Sequence, residues 1–193
     1  MIPWLVTEVT GRYASLINAM IRLAKLEDAY QIAETQVASW KTTYAGQIPQ
    51  AYLNELSVPK REAIWSQVLT DTNQRVLVAE KSGEIVGFSN FGPCRDSDQL
   101  SGVGELYAIY LIEKFKRRGI GHELWSQTSD LMLKLGYREV PLWVLNTNKQ
   151  ACNFYEKLGF KLDSTQKQDK IGGQTVVELR YRLRLGQHKK LTN

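Results

Sequence analysis

Cysteine and histidine are scarce in this 193-residue chain, two of each, and both shortages exclude chemistry. Cys94 and Cys152 cannot build a disulfide framework, and neither sits in a Cys-x-x-Cys or Cys/His cluster of metal-ligating spacing. They read as two reduced thiols. With only His122 and His188 there is no basis for a histidine-built metal site, so no metal is expected. Long apolar runs are missing as well: the longest are a handful of residues, against roughly 20 for a bilayer-spanning helix. The opening residues, MIPWLVTEVTGRY, lack the basic leader and the apolar stretch of roughly 7–15 residues that mark a secretion signal. A cytoplasmic protein with no membrane partner is the expectation. Repeats, low-complexity tracts and Pro/Gly-rich linkers are absent too, which favours one compact domain.

What is present is a globular composition, 43% hydrophobic and 23% charged, well away from disordered chains. A formal charge of +5 raises the question of a polyanionic partner. The last fourteen residues, RYRLRLGQHKKLTN, hold Arg180, Arg182, Arg184, Lys189 and Lys190 with no acid, which equals the whole surplus. The remainder is neutral, and that argues against a nucleic-acid-binding face. The three alternating arginines read as the solvent face of a terminal strand. A second basic knot, Lys114, Lys116, Arg117 and Arg118, lies in mid-chain.

The organisation expected is an extension over 1–19, a domain over 20–185 and a basic tail over 186–193. The extension is either an added helix or an over-called start. After a short strand, IRLA, an amphipathic helix carries Ile32, Ala33, Gln36 and Val37 at helical spacing. A second helix follows over Pro59–Leu69, with Ala63, Ile64, Val68 and Leu69 as its apolar side. RVLVAE and EIVGFSNF, separated by KSG, read as a hairpin, and GELYAIYLI as a third strand. GIGHELWSQTSDLMLKLGY is a long helix stopped at Gly136. PLWVL is a buried strand, NKQACNFYEKLGF a helix closed by Gly159, and FKLDST and TVVELRYRL are two last strands. The order describes an α/β fold with a mixed sheet, not a doubly wound one.

Two motifs carry chemistry. In KRRGIG, Gly119 and Gly121 stand where the long helix begins, and glycine lets backbone amides approach a ligand closely. A helix start leaves about four N–H groups unpaired and bears partial positive charge, so it favours phosphate or pyrophosphate. The dinucleotide fingerprint fails, because Leu124 stands where its third glycine should be, and no P-loop Gly-Lys-Ser/Thr occurs. In the second motif Asn148 caps a helix on which Tyr155, seven residues on, returns to nearly the same direction with Cys152 between them. Phe154 and Leu158 form a separate apolar pair suited to the core, leaving Tyr155 on a different face.

Together, KRRGIG at 116–121 and NKQACNFYEKLGF at 148–160 resemble the paired signature of the GNAT superfamily of acetyl-CoA-dependent N-acetyltransferases. The resemblance covers about residues 20–185. It implies a mixed, mostly antiparallel central sheet flanked by helices, with a β-α-β-α cofactor-binding core. Acetyl-CoA is then the cosubstrate. Its pantetheine arm is expected along the backbone of Ile109, Tyr110 and Leu111, and its pyrophosphate on the loop Lys116, Arg117, Arg118, Gly119, Ile120, Gly121 and His122. Asn148 is expected to contact the coenzyme and Tyr155 to lie by the thioester sulfur. Lys116 departs from the family's Gln or Arg, keeping the charge but losing the planar fork.

Transfer requires a neutral amine, although an ordinary ammonium of pKa near 10.4 is more than about 99% protonated at pH 7. The resemblance makes Tyr155 the general acid and Glu105, eleven positions before Lys116, the base or water relay. The competing reading is that Glu105 pairs with a basic neighbour. Another branch of the family carries a glutamate where this chain has Trp143, which argues against a protein N-terminus as acceptor. Trp40 and Tyr44, with Tyr52 nearby, are expected to bind the substrate, since aromatic rings attract a cationic amine. The acceptor expected is a small molecule such as a polyamine or amino-acid derivative, with a homodimer left open. The alternatives are acetylation of a protein lysine or N-terminus, and a coenzyme-A-binding sensor without catalysis.

Overall fold

β-branched and aromatic residues alternate around Ser82-Gly83, and both turn residues take positive φ, 53° and 82°, as a two-residue hairpin loop demands. The computed structural model, which describes residues 19–98 and 102–186, builds its first sheet on this hairpin. In chain order the elements are β1 (Met20–Leu23), α1 (Ala29–Thr43), α2 (Gln50–Asn54), α3 (Val58–Thr70), β2 (Arg75–Lys81), β3 (Glu84–Pro93) and β4 (Gly104–Leu111). They continue with α4 (Ile120–Lys134), β5 (Glu139–Leu145), α5 (Lys149–Lys157), β6 (Lys161–Ile171) and β7 (Gln174–Arg184). The expected extension, except Ala19, and the tail beyond Gly186, with His188, lie outside the described residues.

β1-β2-β3-β4 form one antiparallel sheet and β5-β7-β6 a second. The α/β reading with antiparallel strands and flanking helices holds, but the sheet is divided. Helices α1 and α3 cover one face of the first sheet through Ile32, Ala33, Trp65, Val78 and Phe88. Its other face shares a core with α4, α5 and the second sheet, built from Leu77, Phe91, Leu106, Leu124, Met132, Leu142 and Tyr181. A bulge lets β4 serve both cores. Asn90 pairs with Ala108 but Phe91 with Leu106, so Tyr107 is the extra residue and the facing of the side chains changes there.

Three local expectations change. On α3 the buried residue is Trp65, edge-on to Phe88 at 4.9 Å, while Ala63 and Ile64 are exposed. α3 packs on α1, and the Trp65 indole donates to Gln36 across that contact at 2.9 Å, which turns the smaller pair outward. β6 runs on to Ile171 through the polar QKQDK, held by pairing with β7 and turned by Gly172-Gly173. Of the β7 arginines Arg184 is exposed as a solvent face requires, but the other two are not. Arg180 is buried against Asp96, Asp98 and Asp163, and Arg182 pairs with Asp163 and Glu139, because acids of the β3–β4 loop and β6 close over that side of the sheet.

Candidate functional site

The two sheets meet at a parallel bridge between Val103 and Glu139. Beyond it β4 and β5 part, and a groove of about 690 Å³ opens between them. Ladder phase decides which backbone groups face it. Ile112 N–H donates to the Val86 carbonyl at 3.0 Å and Tyr110 pairs with Phe88, so the amide and carbonyl of Tyr110 point into the first sheet. Those of Ile109 and Leu111 point away, into the split. On the other wall Asn146 N–H donates to the Val177 carbonyl at 2.9 Å, which turns the backbone of Trp143 and Leu145 toward the split as well. Buried backbone polar groups require partners, so the split can take an extended chain much as a sheet takes a strand. Of the three backbone positions expected on β4, Ile109 and Leu111 face the groove, and Tyr110 contributes its side chain instead.

The glycine loop closes one end. Arg117 adopts φ 59° and Gly119, the N-cap of α4, φ 83°, so successive amides curl around the helix start. Ile120 anchors this turn in a small core with Ala79 and Val86. A Cβ at Gly121 would stand 3.2 Å from Leu111 Cδ1 and 3.5 Å from the Phe154 ring, so glycine lets α4 begin close against the end of β4. His122 N–H is already bonded to the Gly119 carbonyl at 3.1 Å, which leaves the earlier amides of the turn as the anion donors. The basic side chains divide. Lys116 and Arg117 line the groove, Lys116 being tied to Glu113 at 2.8 Å and to Thr43 Oγ1 at 3.3 Å, whereas Arg118 lies over Phe115 outside the lining.

Helix α5 supplies the groove's wall beside β5. Asn148 is buried and caps the helix, its Oδ1 accepting from Ala151 N–H at 3.1 Å, and this leaves its side-chain amide as a donor at the groove. The faces of α5 are less separate than expected from spacing. Tyr155 and Cys152 belong to the buried core, while Phe154 and Leu158 are partly buried and line the groove, because α5 packs its Tyr155 stripe onto Phe160 and the second sheet. Tyr155 lines the groove as well. Burial, with smaller effects of Tyr110 and Cys152, pushes its hydroxyl well above the ordinary tyrosine range, so it keeps its proton at neutral pH.

Aromatic side chains form a further part of the lining. Trp40 stands edge-on to Tyr44 at 5.0 Å and tilted to Tyr110 at 6.4 Å, and the Tyr44 and Tyr110 hydroxyls are 3.3 Å apart. Tyr52 stands behind this group, against the tip of the β6–β7 hairpin at Gly172. Trp143 forms another wall, with Lys167 over its ring at 4.2 Å and its indole donating to Asp96 at 3.1 Å. Glu105 does not join them. It is buried with both oxygens held by the Arg95 guanidinium and a further bond from Arg95 N–H at 3.0 Å, and it does not line the groove. The ion pair anticipated as its alternative is the arrangement present. Glu178, on the Val176 face of β7, is the one carboxylate among the described groove-lining residues. Sequence reasoning passed over it; its place in the alternation of TVVELRYRL, in phase with the arginines, was the available signal.

Among the described residues no group of three His, Cys, Asp or Glu could hold a metal, and no helix is long and apolar enough to cross a membrane. Residues 34–160 match the model of the acetyltransferase (GNAT) family. An uncharacterized N-acetyltransferase of Bacillus subtilis is 40% identical over 137 residues, 70% of this chain and 76% of that protein. A spermidine N(1)-acetyltransferase of Thermoplasma acidophilum is 28% identical over 166 residues, 83% and 96% of the two chains. The crystal structure of the PaiA N-acetyltransferase of Thermoplasma acidophilum in complex with coenzyme A superposes with a TM-score of 0.68 at 24% identity, covering 86% of this chain and 98% of that one.

Proposed function

The chain belongs to the acetyltransferase (GNAT) family, and from that premise we propose that its groove moves the acetyl group of acetyl-CoA to the primary amine of a small molecule. The observation that carries this reading is the split between β4 and β5, with outward-turned backbone of Ile109 and Leu111 facing that of Trp143 and Leu145 and ending at Tyr155. The pantetheine arm would lie in the split as an added strand. Its pyrophosphate would sit on the amides from Arg117 to Gly121, with Arg117 and the Asn148 amide nearby. The spermidine acetyltransferase relative supports a small amine as acceptor.

In the transfer the neutral amine attacks the thioester carbonyl, the carbon–sulfur bond breaks, and the leaving thiolate takes a proton donated by the Tyr155 hydroxyl. A backbone N–H near Leu111 would steady the charge that develops on the carbonyl oxygen. Glu105 acts at one remove: by holding Arg95, which covers the Tyr107 ring at 4.1 Å, it positions the β3–β4 loop beside the groove. Water takes one proton from the ammonium before attack, and the proton that the nitrogen sheds as the amide forms restores the Tyr155 hydroxyl. Thiol release from acetyl-CoA, measured across polyamines, amino acids, aminoglycosides and peptides, tests the reading. Turnover with small amines is expected. Turnover confined to peptides would assign the chain to protein acetylation, and acetyl-CoA binding without turnover would make it a sensor.

A further inference from the structure

Glu178 is a carboxylate in a place that packing does not explain. It lies in mid-β7, opposite Leu145 on β5 and Lys167 on β6, and shares its strand face with Val176, which is buried with Ile48, Leu53 and Leu145. Its ion-pair partner is Lys167 at 3.3 Å, whose side chain is 45% exposed against 21% for Glu178. A pair with so exposed a lysine is weak and exchangeable. Trp40, Tyr44, Tyr110 and Trp143 line the groove with the carboxylate, and Lys167 links it to the Trp143 ring. Lys167 already shows that Trp143 accepts a cation on its face.

Glu178 shares the groove lining with Tyr44 and Tyr110, whose hydroxyls stand 3.3 Å apart. Glu178 raises the titration of both Tyr44 and Tyr110 in addition to the larger effect of burial, whereas Tyr155 responds to burial, Tyr110 and Cys152. Tyr155 lines the same groove as the tyrosine pair and the carboxylate. An acceptor whose reacting nitrogen lies beside Tyr155 would meet Glu178 with a nitrogen further along its chain.

We propose that Glu178 binds a second, protonated nitrogen of the acceptor, displacing Lys167, and so selects diamines and polyamines over monoamines and amino acids. This rests on the acetyl-transfer reading and narrows it. An α-amino acid, whose carboxylate stays beside the reacting nitrogen, and a monoamine both offer no distal cation and would leave the carboxylate with Lys167 alone.

The test compares 1,4-diaminobutane with butylamine, which differs by the distal nitrogen, in the full chain and in Glu178→Gln. The expected outcome is a kcat/KM for the diamine at least about 10-fold above that for butylamine in the unaltered protein. Glu178→Gln should abolish that preference through KM, with kcat at saturation and the KM for acetyl-CoA little changed. Lys167→Gln separates recognition from structure: it frees the carboxylate, so the diamine KM should hold or fall. Equal loss for both amines in Glu178→Gln, or a Lys167→Gln defect as large as that of Glu178→Gln, would overturn the inference while leaving acetyl transfer standing. Calorimetric titration of the coenzyme-A complex with the diamine gives an independent arm. Diamine binding that needs Glu178 but no turnover with any amine would sink the transfer reading and keep only the diamine-binding role of Glu178.

Discussion

A tyrosine can donate a proton to a leaving thiolate only if it still holds that proton at the working pH. Tyr155 satisfies this through burial, which disfavours the phenolate, so its protonated form persists above the ordinary tyrosine value of about 10. Two outcomes follow for Tyr155→Phe, which keeps the ring packing on Phe160 at 5.7 Å and removes only the hydroxyl. kcat should fall by about 10²-fold or more, with KM for acetyl-CoA nearly constant. In the unaltered enzyme the kcat profile should show no loss centred near pH 10; a decline there that disappears in Tyr155→Phe would refute the assignment. This residue was legible in the sequence through its spacing from Asn148. Its facing was not, because both sides of α5 have something to touch, the core on one and the groove on the other, and periodicity alone cannot rank them. Glu105 shows the same limit. An acid in an apolar strand signals a partner, and only the fold identified Arg95 as that partner.

At the scale of elements, the start of α4 is a fitted joint. Gly119 holds φ 83° and Gly121 lies where a Cβ would press on Leu111. Gly119→Ala should lower stability by about 1–2 kcal/mol through left-handed strain. Gly121→Val should act differently: its branches push the helix start off the end of β4, costing about 1–3 kcal/mol. The amides then leave their positions, and KM for acetyl-CoA should rise by about 10-fold or more. Thermal melts and acetyl-CoA saturation curves on both variants separate strain from misplacement. Gly121→Val with an unchanged KM would remove the helix start from the binding site. The glycine loop was readable because left-handed φ and helix-start donors are local properties of a few consecutive residues. The far half of β6 was not, since QKQDK has no apolar alternation and is a strand only because β7 pairs with it.

For the whole molecule, the second sheet and the β3–β4 loop are joined by charge. Arg180, with its side chain 6% exposed, bonds Asp96, Asp98 and Asp163, and Arg182 adds Asp163 and Glu139. Arg180→Met would leave those acids facing one another and should destabilise the fold by about 3–5 kcal/mol, the range for a buried pair deprived of one member. Asp163 titrates below its ordinary value despite burial, because Arg182, Thr165 and Arg180 bond its charged form, and Asp28 does so through Arg22. A depressed carboxyl stabilises the fold above its unfolded value of about 3.9, and that contribution is lost as pH falls through the folded value. Urea midpoints should thus be level above about pH 5 and drop below about pH 4, with a shallower drop in Arg180→Met; identical acid limbs in the two proteins would contradict the network. The C-terminal arginines that looked like surplus charge in sequence are for the most part neutralised within the fold. By itself the sequence determined the family, the glycine turn that starts α4 and the helix that carries Tyr155, because these depend on spacing and backbone preference within runs of a dozen residues. The split between β4 and β5, the partners of Glu105 and Arg180, and the place of Glu178 beside Tyr44 and Tyr110 were decided by tertiary structure. They depend on strand register and on contacts between residues many tens of positions apart, such as Arg180 with Asp96, which no local pattern encodes.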